Sequence, residues 1–333
     1  MIEFQNSFLR AISMVEPERF ISSDEIENDL RVVYEKLKLP FGRIEMQTGV
    51  QTRGVYPDAL PSQIAIGAAK NLFSENEVVP EEIDLLIYCG VCRDYLEPST
   101  ASSIHYKLGL RPDCASFDLS NACLGVVNAM TFAANMLETG KYKNILLVTG
   151  ENSFPLLKKT LSVIKDDETL TRKTIKKFFA NFTIGSAGVA LVISSEKGIA
   201  ELKKYNALSN TSTYELCQGG GSTEELTMET DSELLMQEGI KLARMTWEPF
   251  ASEIFDHYIC HQVGIHHRNF LYDSLGLDLN KDTTTFDKYG NTGSAALPLT
   301  LLKAIPKFKA GDKIALLGIG SGLHTTAMEM RWI

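Results

Sequence analysis

The sequence predicts an α/β protein, with a sheet covered by helices on both faces and the whole unit built twice over. Three observations carry this: short apolar runs that read as buried strands, longer helical patterns between them, and a spacing in the first half that returns in the second. The runs are IDLLIYCGV (83–91), NILLVTGE (144–151), AGVALVIS (187–194), DHYICHQV (256–263) and KIALLGIG (313–320). Apolar runs of this length fit strands buried on both faces. The stretch LGVVNAMTFAANMLETG (124–140) has the helical period and closes on Gly140, where a helix C-cap belongs.

The returning spacing is more specific. Asp84 opens a strand, Asn121 follows 37 residues later in NACLG, and Lys143 opens another strand after 22 more. In the second half Asp256, Asn291 in NTGSA and Lys313 are separated by 35 and 22 residues. Two matched separations and a matched Asn-x-[Cys/Gly]-x-[Gly/Ala] turn favour duplication over chance. The expected halves are 1–195 and 196–333. Two similar halves packed face to face place equivalent strand-to-helix turns at one central cleft. The stretch 151–181 alternates charge and apolar residues and is read as a helical excursion over the cleft or a subunit interface.

Composition narrows the function. The 333 residues are 44% hydrophobic and 23% charged, as in a globular protein with ample core. A net charge of −9 argues against nucleic acid as a partner. The N-terminus MIEFQNSFLRAISMVEPERF lacks a basic region leading into an apolar run, so no secretory signal is read there, and no stretch has the ~20 apolar residues of a membrane span. Six cysteines are too few for a disulfide framework, which points to the cytoplasm. Cys89 and Cys92 form a lone CxxC with no second pair, so no metal site is expected.

Cys123 in DLSNACLGVVNAM stands at the mouth of a helix, where the positive end of the helix dipole favours a thiolate. Small Ala122 and Gly125 leave room for a substrate, although a cysteine is also a common small core residue. His261 ends the strand DHYICHQV. Asn291 lies in KYGNTGSAALPLT, at the turn that the repeat makes equivalent to that of Cys123. Cysteine, histidine and asparagine converging on one cleft suit thioester transfer, with a nucleophile, a proton relay and a second oxyanion donor.

NACLG, CHQVG, GNTGSAALP and the terminal GIGSGL resemble the ketoacyl synthase III (3-oxoacyl-ACP synthase III) branch of the thiolase superfamily. They are most similar to its OleA-type members, which join two fatty acyl thioesters head to head. The resemblance runs from Gln47-Thr48-Gly49-Val50-Gln51-Thr52-Arg53 to the C-terminus, with four motifs in order. It implies the thiolase fold, a five-layered αβαβα sandwich, and a homodimer. It implies Cys123 as the acylated nucleophile, with His261 and Asn291 polarising the second thioester. It further implies an oxyanion hole from the backbone N–H of Cys123 and one from the Gly320-Ser321-Gly322 turn. Acyl-CoA or acyl-carrier thioesters are then the substrates, and no cofactor is implied. Glu97, before Pro98 and ahead of a helix, matches a glutamate that in OleA-type enzymes reaches into the partner subunit's site and is thought to remove an α-proton; an exposed helix-start acid is the plainer reading.

Other residues are read with two alternatives each. Arg172, Lys173, Lys176 and Lys177, with Lys158 and Lys159, suit the phosphates of coenzyme A or an acidic carrier helix, or else form a solvated face balanced by Asp166, Asp167 and Glu168. Phe182, with Phe154, Leu156, Leu157, Leu161, Phe178 and Phe179, suits a lipid-sized channel or ordinary core. His266 and His267 read as solvated residues beyond a strand end, and His324 either lines or covers the cleft. Gly219-Gly220-Gly221 reads as a flexible loop, since no strand precedes it and no Lys-Ser/Thr follows. Decarboxylating synthases using malonyl-ACP, pyrone- or resorcinol-forming ketosynthases, and a non-catalytic acyl-binding scaffold are the alternatives to head-to-head condensation.

Overall fold

The computed structural model of the chain describes residues 1–220 and 226–333. Ten strands form one sheet. From one edge run Ala115–Leu119, Leu85–Cys89, Asn144–Glu151, Ala187–Ser194 and Phe8–Val15. Then come Ala200–Ser209, His324–Trp332, Lys313–Gly320 and His257–Cys260, with Ile2–Glu3 paired to Ala200–Ser209. The two sets join where Phe8 and Leu9 meet Glu201 and Ala200.

The repeat read from the sequence is a repeat of ladders. Leu85–Cys89 runs parallel to Asn144–Glu151, as His257–Cys260 does to Lys313–Gly320. Each pair then continues into antiparallel neighbours. The aspartates that opened the repeat act alike. The Asp84 carboxylate accepts from Lys143 N at 2.7 Å, and that of Asp256 accepts from Lys313 N at 2.9 Å. Each ties the start of one strand to the start of its neighbour.

Five layers result. Helices Pro61–Glu75 and Thr100–Leu108 cover the outer face of the first set of strands, around Leu86, Tyr88, Leu146 and Val192. Ser232–Trp247 and Ile265–Leu275 cover the outer face of the second, around Tyr258, Cys260 and Leu317. Between the two sets lie Gly125–Glu138 and Ala296–Ala304, whose Val127, Met130, Leu297 and Leu301 share one core with Ile87, Leu147, Leu316 and Met328. This is the αβαβα sandwich that the resemblance implied.

All five apolar runs contain strands, and Asn144–Glu151, Ala187–Ser194 and Lys313–Gly320 have the expected bounds. The helix expected over 124–140 spans Gly125–Glu138, with Gly140 at φ +71°. Three long strands were not read from the sequence: Phe8–Val15, Ala200–Ser209 and His324–Trp332. The 151–181 excursion forms helix Phe154–Asp166 and a 3-10 segment, Thr174–Phe182. Their Leu157, Ile164, Phe178 and Phe182 pack against Leu30, Tyr34 and Ile44 of the N-terminal helices, a core separate from the sandwich. Among the described residues no helix is long and apolar enough to cross a membrane.

Candidate active site

The cleft between the halves opens into a cavity of about 1640 Å3, bordered by Cys123, His261, Asn291 and the Gly320-Ser321-Gly322 turn. Three chain segments meet there because specific bonds stitch them. Ala122 sits at φ +47°, a left-handed conformation that costs an alanine strain and turns Cys123 out of the chain path ahead of the Gly125–Glu138 helix. The Ser294 hydroxyl accepts from Val126 N at 3.0 Å, so a residue of the Asn291 turn caps the helix that follows Cys123. A Cβ on Gly125 would lie 2.7 Å from that hydroxyl, and one on Gly320 3.0 Å from Leu124. Glycine is what allows both approaches.

His261 continues its strand, donating its backbone N–H to Leu317 O at 2.7 Å. The next residue, Gln262, accepts from Thr285 N at 2.8 Å and from Phe286 N at 3.2 Å, fixing the segment that leads into Asn291. The Asn291 side-chain oxygen accepts from Gly293 N at 3.1 Å. Among the described residues its NH2 group has no protein partner, leaving it free to donate into the cavity.

The electrostatics correct one expectation. Cys123 is half-buried, and its thiol is pushed up to about 12, first by burial, then by the Glu151 carboxylate and Cys217. Only its own backbone N–H acts in the other direction. The helix dipole therefore does not make a resting thiolate; desolvation and a neighbouring negative charge win. Burial, with His267 beside it, lowers His261 to about 3, so its imidazole is neutral at physiological pH. The resting pair is thiol and neutral imidazole.

Glu151 was missed as a site residue. It closes the Asn144–Glu151 strand, is 2% exposed, and borders the same cavity. Its carboxylate accepts from Val91 N at 2.9 Å, Cys92 N at 3.0 Å and Ser294 N at 3.2 Å. It thus ties the loop leading to Glu97 to the turn holding Asn291, while burial raises its pKa. The only sequence signal was an acid closing an otherwise apolar strand.

The remaining expected residues divide. Glu97 is exposed and does not border the cavity of its own chain, whereas Val91 to Asp94 of the same loop do. Phe182 is 1% exposed and packs edge-to-face on Phe179 in the core. Phe179 and Leu156 border the cavity instead. Arg172 donates to the carbonyls of Leu37 and Lys38 at a helix end, and Lys177 pairs with Glu229 at 2.7 Å. Lys173 and Lys176 are exposed. Gly219 and Gly220 belong to a hairpin pairing Cys217–Gly220 with Thr227–Thr230, not to a loose loop; Gly221 lies outside the described residues. His324 bonds to Ser209 at 2.7 Å and does not border the cavity. His266 is exposed as expected, whereas His267 is only half-exposed: its Nδ1 is buried, and burial lowers it to about 4.

Residues 117–207 match the family model for 3-oxoacyl-[acyl-carrier-protein] synthase III, and residues 249–332 match its C-terminal model. Residues 52–157 match a model of FAE1/type III polyketide synthase-like proteins. The acyl-CoA:acyl-CoA alkyltransferase of Xanthomonas campestris pv. campestris is 34% identical over 99% of both chains. The chain belongs to the 3-oxoacyl-ACP synthase III family. Within that family of condensing acyltransferases, the acyl-CoA:acyl-CoA alkyltransferase of Shewanella oneidensis is 31% identical, over 99% of this chain and 100% of that one. The β-ketoacyl-ACP synthase III of Rickettsia akari is 27% identical, over 95% and 96%. The crystal structure of cerulenin-bound OleA from Xanthomonas campestris superposes with a TM-score of 0.93 at 33% identity, covering 99% of this chain and 98% of that one.

Proposed function

We propose that this enzyme joins two fatty acyl-CoA molecules head to head by a Claisen condensation through an acyl group on Cys123. The observation that carries the reading is the convergence of Cys123, His261 and Asn291 on one large cavity, in a chain a third identical to an acyl-CoA:acyl-CoA alkyltransferase.

The Cys123 sulfur attacks the carbonyl of the first thioester. Its proton passes to the departing coenzyme A thiolate, leaving acyl-Cys123 and free coenzyme A, while His261 acts as a donor from its protonated nitrogen. The oxyanion is met by the Cys123 N–H and one from the Gly320-Ser321-Gly322 turn. A second acyl-CoA enters, and His261 and the free Asn291 amide donate to its carbonyl oxygen as a base takes its α-proton. The carbanion attacks the acyl carbon, the Cys123 thiolate leaves and regains a proton, and a β-ketoacyl-CoA is released. No cofactor enters this sequence, and the thioesters supply the driving force.

Glu97 is the proposed base, supplied by a second copy of the chain. Its exposure on a tip with Leu96 at 93% and Tyr95 at 59% supports this, because an apolar tip of that kind is suited to burial in a homodimer. Coenzyme A would approach past exposed Lys173 and Lys176.

The test is to incubate the protein with a long-chain acyl-CoA alone, and separately with malonyl-ACP added. A β-keto product from acyl-CoA alone supports the reading. Product only with the malonyl thioester rejects it in favour of decarboxylative chemistry.

A further inference from the structure

Behind His261, on the side of the Ser232–Trp247 and Ile265–Leu275 helices, lies a second, small cavity bordered by His261, His267, Thr246, Thr325, Thr326 and Leu317 among others. It offers about 20 Å3 to the centre of a water molecule. One bound water needs roughly 10–15 Å3 by the same measure, and two to four polar partners.

The partners are present. Among the described residues, His261 Nδ1, His267 Nδ1 and Thr326 Oγ1 are buried with no hydrogen-bond partner. All three residues border this one cavity. The other two hydroxyls there are committed: those of Thr246 and Thr325 bond each other at 2.6 Å, and Thr246 also donates to Leu242 O at 3.0 Å. A buried polar atom without a partner is costly, and three around a space of one water have a common solution.

We propose that one ordered water in this cavity joins His261 Nδ1, His267 Nδ1 and Thr326 Oγ1, making His267 and Thr326 positioning residues for His261. The water accepts from the Thr326 hydroxyl and donates one O–H to each Nδ1. An Nδ1 that accepts requires a neutral imidazole to carry its proton on Nε2. His261 and His267 also border the large cavity, so the water behind them sets the donor that the substrate side requires. The inference rests on the proposed role of His261.

The water and the tautomer are both read without substrate, so they stand apart from any failure of the condensation reading. A high-resolution crystal structure is expected to show one water within hydrogen-bond reach of all three atoms. In protein labelled with 15N-histidine, His261 is expected as the Nε2–H tautomer, and Thr326→Val to shift it toward a tautomer mixture. Thr326→Ser, which keeps the hydroxyl, restores the wild-type spectrum. Condensation is expected to fall about tenfold in kcat in Thr326→Val, with KM little changed, as for the loss of one hydrogen bond. His267→Leu gives the same tautomer shift by an independent route. A cavity without water density, or a His261 tautomer unmoved in Thr326→Val, overturns the proposal.

Discussion

A thiol held at about 12 has a measurable consequence for alkylation of Cys123. At pH 8 such a thiol is ionised to roughly one part in ten thousand, against about one in ten for a thiol at its ordinary value, a thousandfold deficit. The more basic thiolate is intrinsically the better nucleophile, which recovers roughly twentyfold. Iodoacetamide should therefore modify Cys123 about fiftyfold more slowly than an ordinary cysteine, with the rate rising about tenfold per pH unit from 7 to 10. The sign follows from burial and Glu151, which both favour the neutral thiol, so no plateau appears until the pH nears 12. Glu151→Gln removes the second of the three causes that raise the thiol and should accelerate the reaction at pH 8 by a few-fold to about tenfold. The assay follows the Cys123 peptide by mass spectrometry, since Cys92 and Cys217 border the same cavity. A wild-type plateau below pH 9 would refute the reasoning and restore the dipole-stabilised thiolate.

Glu97→Ala should abolish condensation of acyl-CoA while leaving acylation of Cys123 intact, a split read by product chromatography beside intact mass; loss of both would remove Glu97 as the base. Ser294→Ala strips the buried Val126 N–H of its acceptor and should cost about 1–3 kcal/mol in denaturant unfolding. Phe182→Ala should destabilise by about 3–5 kcal/mol with chain-length preference unchanged, whereas Phe179→Ala should alter that preference. A changed acyl preference in Phe182→Ala would place that ring at the substrate after all.

What was legible in the sequence was whatever one strand or one turn encodes. The repeated spacing showed because Asp84 and Asp256 each close a backbone bond at a strand start, so the same residue returns at nearly the same distance. Cys123, His261 and Asn291 showed because motif spacing survives as position at the cleft. The strand Ala200–Ser209 did not show, because AELKKYNALS pairs three strands while its side chains alternate between core and solvent irregularly. Apolar character alone could not separate Phe182, which faces core, from Phe179, which faces the cavity. Glu151 and His267 were invisible for another reason. Their meaning comes from the backbone N–H groups and the small cavity beside them, which exist only once distant segments meet.

The central claim is that Cys123 carries an acyl group. Intact mass spectrometry after treatment with a long-chain acyl-CoA tests it most directly. The account predicts one acyl adduct on the wild-type chain, mapped to the Cys123 peptide, with release of coenzyme A and no adduct on Cys123→Ala. An unmodified wild-type chain, or an adduct that survives Cys123→Ala, would contradict it.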